Sequence, residues 1–213
     1  KNCRAGDEQY CRNGAVFTYN SKFKYPHCVE CNSEGGNPTY GGYSSAIVVD
    51  YRFVVSIPTN LDLAAATPLL CAGITVYSPM VHYGLSPNMR LAVAGLGGLG
   101  HMAVKIGLAF GCHVTVLSRG TSKKSDAIDN MKAHAFVDVT NEDEVRAAAG
   151  SFDFIVDTIS AKHDVNMYVG LLGIDGKFIV VGASPEQLEF SPSAFIFGRK
   201  VLGGSLIGGV RET

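Results

Sequence analysis

MRLAVAGLGGLGHMAVKIGLAFGCHVTVLS, residues 89–118, is the stretch that decides the fold. Its first residues, Met89 to Gly95, read as a short buried strand. A glycine-rich turn follows and opens a run with helical spacing, and HVTVLS at 113–118 reads as a second strand. Gly95, Gly97 and Gly100 form G-x-G-x-x-G, with Leu96, Gly98 and Leu99 completing the loop. The bare pattern is common. Between a strand and a helix, inside one βαβ unit, it points to a dinucleotide. Gly95 permits the tight turn, Gly97 lets the backbone approach a pyrophosphate, and Gly100 lets helix and strand pack closely. The helix N-terminus then offers free N–H groups and a positive dipole end to the phosphates.

The alternation continues downstream. Residues 122–134 read as a polar amphipathic helix, 135–139 (AFVDV) as a third strand, and 141–150 as a helix with acids in its first turn, which suits the macrodipole. FDFIVDT (152–158), GKFIVVGA (176–183) and KVLGGSLI (200–207) read as three more strands, with a helix over 163–172. Strands alternating with helices imply a parallel sheet with right-handed crossovers, covered on both faces. The expected fold is therefore α/β, a Rossmann-type doubly wound parallel sheet over residues 72–208.

The end of the second strand selects the cofactor. An acid there would bind the ribose hydroxyls of NAD. Residues 118–124 read SRGTSKK instead, and the first acid is Asp126. Ser118, Arg119 and Lys123 suit a 2′-phosphate, so NADP is expected over NAD, with Lys124 turned to solvent.

Upstream the reading is looser. Residues 1–40 are polar and loop-like. Strands are expected at Ala46–Val49 and Phe53–Ser56, and a helix over 61–84 broken near Pro68 and Pro79. With 213 residues the chain holds one domain or one and a half. Its 46% hydrophobic and 17% charged residues exclude general disorder. A net charge of -1 argues against nucleic acid as a main partner. The most apolar segment, Leu91 to Phe110, contains His101, Lys105 and five glycines, so no membrane span is expected. Both ends read as cut, and a piece of a longer chain is expected. Without an apolar leader, the six cysteines suggest a reducing, cytoplasmic setting and metal binding by the early cluster.

Cys3 and Cys11, with seven residues between them, are only suggestive alone. VFTYN (16–20), TYGGYS (39–44), PLLCAGITVYSP (68–79), GLGGLGH (95–101) and GGSLIGG (203–209) follow in order. Together they resemble the zinc-dependent medium-chain alcohol dehydrogenases, in the plant cinnamyl alcohol and mannitol dehydrogenase branch. The resemblance implies a partial, mostly-β GroES-like catalytic domain over 1–71, the NADP-binding domain over 72–208, and the start of a return segment at 209–213. It implies that Cys3 and Cys11 are the third and fourth ligands of a structural zinc, and Cys71 a ligand of the catalytic zinc. A helix N-terminus after Cys71 favours the thiolate that zinc needs. It further implies cofactor contacts at Thr75, Gly95 to Gly100, Ser118, Lys123, Thr158, Gly182, Ser205, Leu206 and Ile207.

The activity implied is reversible hydride transfer between NADP(H) and a small-molecule alcohol or aldehyde, with cinnamyl-type substrates first. Mannitol and terpenoid alcohols are alternatives, because Phe17 stands where the best lignin enzymes of the family carry Trp. A homodimer is implied for the complete protein, and inactivity for this piece alone, since other zinc ligands and the proton relay lie outside it. The departure from the family lies at residues 21–38, which include PHCVEC. Cys28 and Cys31 are read there as surface thiols; a C-x7-C-x16-C-x2-C zinc set is the alternative. His101 is expected to pack or cap. The other five histidines share no ligand spacing, Tyr77, Met80 and Tyr83 read as core, and Cys112 as a buried small residue. Competing classes are a zinc-free quinone or enone reductase, a non-catalytic dinucleotide module and a zinc-knuckle interaction protein.

Overall fold

The computed structural model describes residues 2–22 and 38–213. Cys28 and Cys31, with the readings attached to them, lie outside the described residues. The chain divides into two compact units, residues 1–58 with 209–213, and residues 59–208.

In the first unit, α1 (Asn2–Ala5) precedes the short antiparallel strands β1 (Tyr19–Lys22) and β2 (Pro38–Tyr40). Ser21 N–H donates to Thr39 Oγ1 at 3.0 Å. The strands expected at 46–49 and 53–56 do not form. Residues 46–50 are irregular and exposed, and Tyr51–Phe53 is a 3-10 turn whose Asp50 side chain accepts from Arg52 N–H. The β-branched run has the propensity for a strand, but among the described residues no partner strand completes its hydrogen bonds.

In the second unit, α2 (Leu63–Ala66), a 3-10 turn at Thr67–Leu70 and α3 (Ala72–His82) come first. Pro68 lies in the break, as expected. Pro79 does not break α3. The boundary expected after Cys71 falls inside this unit. Then come β3 (Arg90–Ala94), α4 (Gly98–Ala109), β4 (His113–Ser118), β5 (Ala135–Asp138), α5 (Glu142–Ala147), β6 (Phe152–Asp157), α6 (Val165–Gly170), β7 (Leu172–Val180), α7 (Pro192–Ile196) and β8 (Val201–Gly204). The amphipathic helix expected over 122–134 is only a π-helical turn at Asp126–Asn130.

The six strands from β3 to β8 pair in parallel in the order β5-β4-β3-β6-β7-β8. This is the doubly wound order. Side chains alternate across the sheet. Leu91 and Val93 meet Val76 and Met80 of α3 and Ala103 and Val104 of α4. Ala92 and Ala94 meet Val165, Tyr168 and Val169 of α6 on the other face. β3, flanked by β4 and β6, is fully buried after its first residue. At its carboxyl end the strand order reverses, and such a crevice is where ligands bind in open α/β sheets.

Candidate functional site

The turn after β3 is shaped by its glycines. Gly95 has φ +86°, and its N–H donates to Leu117 O at 2.9 Å. A Cβ on Gly100 would fall 2.2 Å from the Gly95 carbonyl oxygen, so α4 can only pack this closely with glycine there. Gly97 and Gly98 differ: a Cβ on either would meet nothing within 4 Å. Gly97 is the N-cap of α4, and no side chain caps it. The first N–H groups of a helix lack intrahelical acceptors, so α4 offers donors beside open space. Leu96 is buried and Leu99 half-buried in the core, and these two act at the turn through their backbones.

The neighbouring strand ends brace the turn. Thr158 follows β6; its Oγ1 donates to Ala94 O at 2.8 Å, with Gly95 O at 3.2 Å. Gly182 follows β7, and a Cβ there would lie 2.4 Å from Ile159 O. Ser205 follows β8 and donates its N–H to Val180 O. Leu206 is exposed, and Ile207 has φ +39°, a strained conformation for a β-branched residue.

Residues expected at the adenosine side gather at the end of β4. Ser118 is buried, and Arg119 is exposed. Lys123 is exposed and its Nζ donates to Leu96 O at 3.1 Å, which brings its charge to the glycine turn. Lys124 is exposed too. Asp138 at the end of β5, not singled out from the sequence, organises this corner. Its Oδ1 accepts from Gly120 N–H at 2.8 Å and from both Thr140 N–H and Oγ1. These bonds, Thr140 first, hold its carboxyl below the usual carboxylate range. His101 is a bracing residue, with Nδ1 on Gly97 O at 2.8 Å and Nε2 3.4 Å from Asp126.

The metal residues are less assembled. Cys71 is exposed at the N-cap of α3, and Thr75 Oγ1 donates back to Cys71 O at 2.7 Å. Cys3, in α1, is exposed and Cys11 half-buried; both are free thiols, and Asn2 Nδ2 donates to Tyr10 O across the segment between them. Among the described residues no three His, Cys, Asp or Glu side chains converge as a metal site. Cys112 is buried, its thiol donating to Ser86 O, and burial pushes it up.

A parallel sheet in doubly wound order, with a glycine turn opening a helix at its central strand, defines a Rossmann-type dehydrogenase class. The family model for zinc-binding dehydrogenases matches residues 98–213, and the chain belongs to that family. It is 49% identical over 214 residues to a probable mannitol dehydrogenase of Medicago sativa, covering 100% of this chain and 56% of that protein. A cinnamyl alcohol dehydrogenase from Sorghum bicolor superposes with a TM-score of 0.90 at 42% identity, covering 100% of this chain and 58% of that one. The crystal structure of CAD from Helicobacter pylori complexed with NADP(H) gives 0.85 at 37% identity, with the same coverage. The chain thus spans little more than half the length of the relatives it matches.

Proposed function

We propose that this chain supplies the NADP(H)-binding part of an alcohol dehydrogenase that interconverts an alcohol and its aldehyde, with cinnamyl-type substrates first. The observation that carries the reading is the open space at Gly97 and Gly98 before α4, beside a β4 end that has Ser118, Arg119 and Lys123 and no acid. The relative complexed with NADP(H) and the mannitol and cinnamyl alcohol dehydrogenase names of the others support the cofactor and substrate class.

The residues present fit the dinucleotide. N–H groups of the α4 N-terminus would hold the pyrophosphate. Ser118, Arg119 and Lys123 would hold a 2′-phosphate. Thr158, Gly182, Ser205, Leu206 and Ile207 would line the ribose and nicotinamide side, and Thr75 would approach it from α3. The cofactor, when bound, supplies the hydride. What the chain contributes is position: a fixed nicotinamide turns a bimolecular encounter into an oriented one. Among the described residues no complete zinc site is assembled. Cys71 is proposed as one ligand of a catalytic zinc, and Cys3 with Cys11 as part of a structural one, completed by residues elsewhere. A homodimer and a cytoplasmic setting belong to the same proposal; among the described residues no single helix is long and apolar enough to cross a membrane.

Fluorescence titration with NADPH and NADH tests the reading. NADPH should bind at least roughly tenfold tighter, the discrimination expected when a charged hydrogen-bonding contact is made or lost, and the gap should narrow as salt rises. Tighter binding of NADH would overturn the cofactor assignment.

A further inference from the structure

Beneath the nicotinamide-side loop lies a buried pair that the proposed chemistry does not use. Asp157 ends β6 and is fully buried. Its Oδ1 accepts from Ile159 N–H at 3.0 Å. His163 closes the same loop, with its side chain 8% exposed, and its Nε2 lies 3.1 Å from Asp157 Oδ2. Among the described residues neither of these two atoms has another partner. His163 Nδ1 sits 2.8 Å from Ala161 O. A carbonyl oxygen only accepts, so Nδ1 carries a proton. Nε2 then turns either a lone pair or a second proton toward a carboxylate. In a dry site, lone pair against lone pair is costly, so the pair holds one further proton, on Nε2 or on Oδ2.

We propose that Asp157 and His163 form a one-proton latch that fixes the loop 158–164 against the glycine turn, and that dinucleotide affinity depends on that proton. The inference rests on the dinucleotide reading above. Thr158 and Ile159, the first residues of the loop, pack on Gly95 and Gly182, so releasing His163 loosens the brace on the turn. The two residues act as positioning residues. Asp157 pairs with Ala94 in β3 and Val180 in β7, which carry no charge. The ionisable groups nearby are Tyr168 on α6, Asp164 at its N-cap and Arg119 after β4. The Tyr168 ring meets His163 edge-on at 5.5 Å. Burial also pushes the Asp157 carboxyl up.

The sign follows from proton counting. Unfolded, the Asp157 carboxyl titrates near ~3.9 and has released its proton well below neutral pH. The folded pair keeps one, so the latch weakens as pH rises. Asp157→Asn separates latch from bulk: its Oδ1 can still accept from Ile159, and its Nδ2 can donate to His163 Nε2 with no carboxyl left to ionise. NADPH affinity of the wild-type chain should fall roughly fivefold from about pH 7 to about pH 9.5. D157N should bind as wild type at the lower pH and stay flat. His163→Ala should bind weakly at both. Hydrogen exchange of residues 158–164 without ligand should show the same pattern, with protection lost at high pH only in wild type. Parallel pH profiles for wild type and D157N, or unchanged binding by H163A, would overturn the latch. A chain that binds no NADPH at any pH overturns the dinucleotide reading instead. The exchange comparison then decides the latch, and equal protection in wild type and D157N at both pH values overturns it.

Discussion

Gly97 and Gly100 stand three positions apart and answer to different constraints. At Gly100 the obstacle is backbone: the Gly95 carbonyl oxygen lies 2.2 Å from any added Cβ. At Gly97 no atom of the described residues lies within 4 Å of an added Cβ. Gly100→Ala should therefore cost roughly 1–3 kcal/mol of stability, as overpacking does, and NADPH binding with it. Gly97→Ala should leave stability within about 0.5 kcal/mol while weakening NADPH binding. Urea unfolding beside a titration checks both; equal losses of stability would remove the distinction. The glycine pattern made this legible in the sequence. Asp138 was not legible, because its work depends on Gly120 and Thr140 arriving at the same strand end. The Asp157–His163 pair was invisible for a similar reason. Six positions apart, across a loop, they match no spacing rule.

At the scale of elements, regular patterns survived where a strand finds a partner to pair with. HVTVLS becomes β4 with the limits read from sequence, paired on one side with β3 and on the other with β5. Residues 46–56, equally rich in β-branched side chains, form no strand and find no partner strand among the described residues. Ladders, not propensities, decide such cases. The opposite end of the sheet, at the amino ends of its two central strands, carries its own tie. Arg90 opens β3 and grips Asp153 of β6, with Nη2 on Oδ1 at 2.7 Å and its N–H on Oδ2 at 2.8 Å. That grip, the Arg90 hydrogen bond foremost, holds the Asp153 carboxyl below its ordinary range. A depressed carboxylate stabilises the fold above its unfolded pKa, and the gain is lost as pH falls through the folded one. Both side chains are part-exposed, so Asp153→Asn should cost only about 0.5–1 kcal/mol at neutral pH. The difference from wild type should shrink as pH falls through the folded value of the carboxyl. Denaturant midpoints across pH would show it, and a constant gap at all pH values would contradict it.

For the whole molecule, the relevant division is between residues 59–208 and the remainder. Every residue proposed to touch the dinucleotide, from Thr75 to Ile207, lies in the first of these. Residues 59–208 alone should bind NADPH within about threefold of the full chain, a difference of less than 1 kcal/mol. A loss of tenfold or more would show that the cofactor site needs the other unit. The nucleotide half was readable because its period, turns and strand ends repeat one physical plan. The zinc residues were readable only through likeness, since Cys3, Cys11 and Cys71 gain meaning from ligands that the described residues do not supply.

The Thr158 bracket on the glycine turn also bears on how the chain is made. The hydroxyl that holds Ala94 in place comes 64 residues after it. On a ribosome, β3 and the turn emerge well before β6, at about 5–20 residues per second. For those seconds β3 lacks one of its two flanking strands, and the glycine turn has no clasp. A nascent chain arrested before Thr158 should thus carry the whole G-x-G-x-x-G pattern and still be unable to retain a nucleotide. The capacity to bind would be acquired late and at once, when the residues at 157–163 leave the exit tunnel.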